Sequence, residues 1–365
     1  MKHRTESTPM KGEGSGRVAL SPQGRAQSKD TICDPIRRFL PTPFAAPLPI
    51  MGRTVQMETN NSELLGHMIE LFGRDPGSPD GSPEFFWRIV VEQDRQCSPP
   101  WPRRSTFSDE GIRFAQFDQR NFVAVDLAAR EAVAVISEGL FEDRQGFTSP
   151  FVDTLFYMTA GSLRLVPFAA ACVRSGRKGL LVLGPPNQGK TTASYLAAKD
   201  GLSFYADQSL FLEIVGSELR GWGDFVPTAF RPETLQYLPE LETESARFSY
   251  CDFVYYYMRR KHVDATQPGF VVPTCCLVLE RETALLPNLL PIPKSDFCSY
   301  LSESIAFKDD RQFDPQRVAV LSALENLPAY RLAYGSDPAA AAPFFRQLMS
   351  VHSGDGSTND QACAT

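Results

Sequence analysis

Apolar and polar positions change period several times along the chain, and each change predicts an element. Val55 to Thr59 alternates as a strand does. Asn60, Asn61 and Ser62 supply side-chain oxygens able to cap a helix, and Glu63 to Phe72 then carries apolar residues three and four apart, which predicts an amphipathic helix. Phe85 to Val91 is an apolar run of buried-strand type. Ile112–Phe117, Asn121–Asp126 and Ala132–Ser137 are short apolar runs separated by polar turns, which predicts an antiparallel meander. Arg74–Pro83 and Gln96–Arg104 hold clustered Pro, Gly, Ser and charged residues and read as loops. Residues 49–150 are therefore expected to form a smaller N-terminal α+β domain.

From Phe151 to Met158 the period turns helical. The small-residue run Phe168–Val173 leads through a turn at Ser175–Gly179 to four consecutive aliphatic residues, Leu180–Leu183, and then to a helix free of Gly and Pro that ends near Ala198. Ser203–Ala206 and Leu210–Ile214 read as strands on either side of Asp207 and Gln208. Val271–Glu280 reads as a strand and Pro343–Val351 as a terminal helix, while Glu233–Leu238 and Phe248–Met258 fit neither period alone. Strands alternating with helices place residues 151–352 in the α/β class. Residues 1–48 and 353–365 show no apolar period and are expected to be disordered tails, the first of them basic.

Composition narrows the picture. Hydrophobic residues make up 42% and charged residues 22%, ordinary values for a globular chain. The net charge of -6 and a pI near 5.4 argue against a nucleic-acid binder, which needs a basic surface to neutralise phosphates. Nowhere do enough apolar residues run together to span a bilayer, and none follow the basic N-terminal residues as a secretory signal would require, so the expected setting is the cytoplasm with no membrane partner. The eight cysteines have no zinc-knuckle or redox spacing and read as reduced, mostly buried thiols. Self-association into a homo-oligomer is left open.

The sharpest feature is the run Gly184-Pro185-Pro186-Asn187-Gln188-Gly189-Lys190-Thr191, which follows the aliphatic strand and opens the helix. Such a loop binds phosphate because its glycines let successive backbone N–H groups converge on phosphate oxygens, and the helix adds the positive end of its dipole. Lys190 supplies a point charge for β- and γ-phosphates, the Thr191 hydroxyl a ligand for Mg²⁺, and Thr192 a second hydroxyl. Asp207, at the end of a short apolar strand, is the candidate to hold Mg²⁺ or to accept a proton from an attacking hydroxyl, and a turn-forming Asp is the competing reading. Gln208 can position but cannot act as a base.

Phe168 to Ile214 resembles the kinase domain of HPr kinase/phosphorylase and its relatives. The match rests on the phosphate loop preceded by a Gly-bearing turn (Gly176, Gly179) and an Ala-rich strand, on Gly201 closing the helix, and on Ala206-Asp207-Gln208 followed by Leu210–Ile214. Gln208 stands where the family has a second Asp, and Phe168 or Ala169 where it has a His. These departures bear on the reverse, phosphorylase reaction more than on phosphate binding. They make the divergent HPr kinase-like proteins, some of which accompany peptide-modification gene clusters, the better comparison. The resemblance implies a P-loop kinase core related in fold to phosphoenolpyruvate carboxykinase, with Mg²⁺ and ATP as phosphoryl donor and a hydroxyl on a protein, peptide or small molecule as acceptor. Lys190 and Asp207 would be catalytic, residues 184–192 would bind the nucleotide, and Thr191 and Asp207 would hold the metal. The competing expectation, motivated by Gln208 and the missing His, is a nucleotide-binding sensor or adaptor without transfer activity.

Other groups have bland readings beside functional ones. Gly221–Arg231 reads as a loop in which Arg231 either meets a transferring phosphoryl group or pairs with Glu233, and Trp222 is more a loop anchor than a base-stacking residue. The basic cluster Arg259–His262 is either an acidic-partner site or a solvated face. His67 is expected on a helix surface, and His3 and His352 in the disordered ends.

Overall fold

The computed structural model describes residues 40–73, 82–93, 105–109, 111–225, 228–250, 253–258, 269–282, 286–305 and 314–352. Most of both expected tails, most of both Pro-rich loops and the Arg259–His262 cluster lie outside them. Within them the chain is mixed α/β with three sheets.

The first sheet contains β1 (Phe44–Ile50), β2 (Arg53–Thr59), β3 (Phe85–Glu92), β4 (Ser105–Asp109), β5 (Ile112–Gln116), β6 (Phe122–Asp126) and β7 (Glu131–Ser137), in the spatial order β1-β2-β3-β7-β6-β5-β4. The meander read from the sequence is present as β5 to β7, and β4, which the sequence did not suggest, adds a fourth antiparallel strand. β2, β3 and β7, however, run parallel. The return from β2 to β3 is made through the helix Ser62–Phe72, whose first turn is closed by the Asn61 side chain accepting from the Leu64 N–H at 2.9 Å. Leu64, Met68 and Phe72, spaced four apart, are its buried face. The tail boundary expected at residue 48 falls inside β1. That strand starts at Phe44, pairs with β2 along its length and buries Leu48 and Ile50, and its prolines 47 and 49 are tolerated because it lies at the sheet edge.

The chain then passes through a helical stretch ending at Thr159 and enters the larger sheet. Its strands begin with β8 (Val166–Phe168), β9 (Ala171–Ser175), β10 (Lys178–Leu183), β11 (Ser203–Ala206), β12 (Leu210–Val215) and β13 (Glu218–Gly223). A small separate sheet follows, made of β14 (Thr228–Phe230), β15 (Ala246–Tyr250) and β16 (Phe253–Met258), and then β17 (Phe270–Arg281), β18 (Asn288–Pro291) and β19 (Ala329–Tyr334) complete the larger one. β10, β17 and β19 are parallel neighbours at its centre. Their residues are apolar on both sides because both faces are covered. Leu180, Val182, Leu277 and Leu279 pack in one core cluster with Ala193 and Phe345, whereas Leu181, Leu183, Cys276 and Val278 pack in another with Phe297 and Leu301. Cys172, Cys275 and Cys276 are buried free thiols, as read from the sequence, and burial pushes Cys275 up to about 11 and holds Cys276 well above the ordinary thiol range.

The first sheet and the larger one share a core, since Phe211 of β12 and Trp222 of β13 belong to the cluster that also holds Trp87 and Phe156. Phe156 meets Phe211 edge-on with ring centroids 4.7 Å apart. Polar groups lock the same seam. Glu213, 6% exposed, accepts from the Trp222 indole N–H at 2.6 Å and from the Arg53 guanidinium, which also donates to the carbonyls of Met51 and Leu163. Among the described residues no helix is long and apolar enough to cross a membrane.

Candidate functional site

β10 ends at Leu183, and the chain turns at once into the Gly184–Thr191 run at the carboxyl edge of the central parallel strands, the edge where open α/β sheets place their ligands. Gly184 sits at φ +129°, and a Cβ there would lie 2.5 Å from the carbonyl oxygen of Leu279 in β17. Gly189 sits at φ +79° and caps the helix Lys190–Lys199 with no side-chain hydrogen bond, so no side chain of the cap residue occupies that helix N-terminus. Asn187 is also left-handed, at φ +67°. Pro185, Pro186 and Asn187 are exposed, while Thr192 is buried.

The Lys190 ammonium donates to the carbonyls of Gly184 at 2.7 Å and Pro185 at 2.9 Å, which holds it over the loop's own backbone. Burial pushes its pKa below the ordinary lysine range, and the Asp207 carboxylate opposes that shift. Thr191 donates its hydroxyl to Asp207 Oδ1 at 2.5 Å, and Asp207 is 3% exposed. β11 carries Asp207 to this edge although it is not a neighbour of β10: it runs antiparallel to β9, which runs antiparallel to β10, so two reversals restore the direction. Lys190, Thr191 and Asp207, far apart in type and role, thus come together at one edge.

The remaining candidates are not brought there. Gln208 is exposed beside Asp207, and Arg231 is exposed too. Phe168 is fully buried in β8, and the backbone N–H of Ala169 donates to Ser304 at 2.7 Å. Trp222 is the anchor of the seam described above, on a strand and not in a loop. His67 is half-buried against Phe141 and Phe147 rather than on an open helix face. His352 is the last residue of the helix Ala342–His352, within hydrogen-bond distance of the Tyr330 hydroxyl at 3.0 Å, and so does not fall in the tail; burial lowers its pKa. Sequence reasoning missed Tyr334, whose hydroxyl donates to the Gln188 carbonyl at 2.5 Å, and Arg281, whose backbone N–H donates to Gln188 Oε1. No local signal points to either.

The two glycine positions give a direct test of the loop geometry. Gly184→Ala is expected to lower stability by about 1–3 kcal/mol, because its Cβ meets rigid strand backbone as well as a strained φ. Gly176→Ala, with φ +58° and open space around it, is expected to cost only the left-handed penalty of about 1–2 kcal/mol. Thermal melts of the two variants should therefore differ; equal losses would mean that the approach of Leu279 is not a constraint.

No family model matches the sequence, and no curated protein matches it. Among solved structures, the HPr(Ser) kinase/phosphatase from Coxiella burnetii matches over 52% of this chain and 93% of its own length, at 9% identity and a TM-score of 0.26. Similarity at that level is a weak fold relationship and carries no argument about the site.

Proposed function

We propose that the chain is an ATP-dependent kinase of HPr kinase-like type, which transfers a γ-phosphoryl group to a hydroxyl of a protein, peptide or small molecule. The observation that carries this reading is the Thr191 hydroxyl on the buried Asp207 carboxylate at the mouth of a glycine-framed loop that also bears Lys190. The donor set suits a nucleoside triphosphate with Mg²⁺. Glycines stand where side chains would crowd the loop, the helix N-terminus carries no side-chain cap, and a hydroxyl and a carboxylate are the oxygen ligands that Mg²⁺ prefers. Among the described residues no group of three or more His, Cys, Asp or Glu is placed to hold a metal alone, so the remaining ligands would come from phosphate and water.

In this reading the loop amides and Lys190 bind and orient the β- and γ-phosphates, and Thr191 and, through water, Asp207 would hold the metal. Mg²⁺ supplies charge neutralisation on the phosphate oxygens. The acceptor oxygen bonds to the γ-phosphorus as the bond to the β–γ bridging oxygen breaks, ADP leaves, and Asp207 takes the acceptor's proton. Positioning and electrostatics do most of the work. The second reading, a nucleotide-binding sensor, is favoured by one observation: Asp207 is followed by an exposed Gln208 where two carboxylates would handle metal and proton together.

Calorimetry with Mg-ATP and a transfer assay separate the cases. Binding with turnover supports the kinase, binding without transfer to any acceptor or to water supports the sensor, and no binding removes both. A pH series adds a signature of Lys190. Phosphate needs the protonated amine, and burial lowers the pKa of that amine in the free protein, so affinity is expected to fall with rising pH before an exposed lysine would titrate. Lys190→Arg should flatten this alkaline limb, because a guanidinium stays charged.

A further inference from the structure

Gln188 is tied to the sheet through both its main chain and its side chain. Its carbonyl accepts from the Tyr334 hydroxyl at 2.5 Å, and its side-chain Oε1 accepts from the backbone N–H of Arg281. The ring closes on the far side, where the Tyr334 carbonyl accepts from the backbone N–H of Glu282 at 2.9 Å. Three segments distant in sequence, the loop, the end of β17 and the end of β19, are thereby joined in one cycle of hydrogen bonds. Tyr334 is fully buried, so its ring has little room to move. Its hydroxyl also stands 2.3 Å from where a Cβ on Gly189 would be, which places it hard against the residue that caps the loop helix. The corner is braced again from outside, since the Ser336 carbonyl accepts from the Arg281 guanidinium at 2.5 Å and from the Tyr237 hydroxyl at 2.9 Å.

We infer that Gln188 and Tyr334 are positioning residues for the phosphate loop, holding its curvature from outside so that the loop amides converge before nucleotide arrives. The inference rests on the proposed nucleotide reading and adds to it. It reassigns Gln188, which the loop pattern alone places among the phosphate-binding residues: a side chain engaged with the edge of β17 is turned to protein and not to ligand. A loop shaped in advance binds without first being ordered, so removing the anchor raises Kd with the fold intact.

The test uses the full chain and Mg-ATP calorimetry, at a temperature well below melting and with circular dichroism as the check on folding. Tyr334→Phe keeps the ring and removes the donor; Gln188→Met keeps the length and removes the side-chain acceptor. Each is expected to weaken ATP binding by about tenfold, the order of one lost hydrogen bond. The double variant should lose little more than the larger single, because both changes release the same residue. A merely structural role would lower the melting temperature and leave the Kd of the folded protein where it was. Should Tyr334→Phe fail to fold, Gln188→Met carries the test, since it lies in the loop. Wild type that binds no nucleotide would overturn the nucleotide reading and the anchor with it. Wild type that binds, with both single variants within twofold of it, would overturn the anchor alone. Losses that multiply fully in the double variant would equally overturn a shared anchor.

Discussion

Asp207→Asn is expected to reduce phosphoryl transfer by about 10²–10⁴-fold, the range for loss of a positioned proton acceptor. The substitution is well suited to the question because Asn keeps a side-chain oxygen to accept from the Thr191 hydroxyl, so the contact at 2.5 Å loses its charge but not its acceptor. Folding should survive. Two further consequences follow from removing the charge. Metal affinity should fall, since a neutral amide oxygen is a weaker ligand than a carboxylate. The Lys190 ammonium should also lose the neighbour that opposes its desolvation, so its pKa drops further and the alkaline loss of ATP affinity moves to lower pH. Single-turnover transfer, with Kd for Mg-ATP measured at several pH values, reads all three. Transfer at the wild-type rate in the variant would end the role proposed for Asp207. A shifted alkaline limb with no transfer even in wild type would leave the binding site standing as a sensor.

The parts of this site that could be read in sequence are those that lie close together along the chain. Gly184 to Thr191 after Leu180–Leu183 is such a feature: an apolar strand covered on both faces, a loop with glycines at two left-handed positions, and a helix without Gly or Pro. The placement of Asp207 at the strand end was legible too, because β11 is short and the carboxylate directly follows it. The brace from Tyr334 was not, since it reaches Gln188 across 146 positions and nothing in Ala329–Tyr334 marks one tyrosine as facing a loop. The stretch Gly221–Arg231 reads as a loop, yet Gly221 and Gly223 lie in β13, where a Cβ at 221 would come within 2.9 Å of the Leu210 side chain and one at 223 within 2.7 Å of the Tyr205 carbonyl. They are small because neighbours approach closely, not because the chain turns. The helix Lys294–Ser304 escaped notice for a different reason: it buries only Phe297 and Leu301, too few positions to show a period.

The seam between the two larger sheets carries the largest expected effect on stability. Arg53→Ala leaves Glu213 buried with its charge and without the guanidinium, and removing one partner of a buried pair costs about 3–5 kcal/mol. Both side chains are shielded, at 11% and 7% exposure, so solvent does little to screen the loss. Glu213→Ala is expected to do comparable damage by a second route, because the Trp222 indole N–H loses its acceptor at 2.6 Å in a site where water is excluded. In a chain of this size either change should lower the melting temperature by on the order of 10 °C. The pair should also be non-additive: with both groups gone no buried charge is left uncompensated, so Arg53→Met with Glu213→Gln is expected to melt above Arg53→Ala alone. The amide oxygen of Gln can still accept from Trp222. Scanning calorimetry of the three variants decides it; melting temperatures within a degree of wild type would show that the apolar contacts of Phe156, Phe211 and Trp222 hold the seam without the ion pair. Well below melting, Arg53→Ala should still bind Mg-ATP as wild type does, because none of Arg53's hydrogen bonds reaches the loop at the end of β10. A coupled loss of affinity would instead reveal that strain at Glu213 in β12 travels back along the few residues that separate it from Asp207.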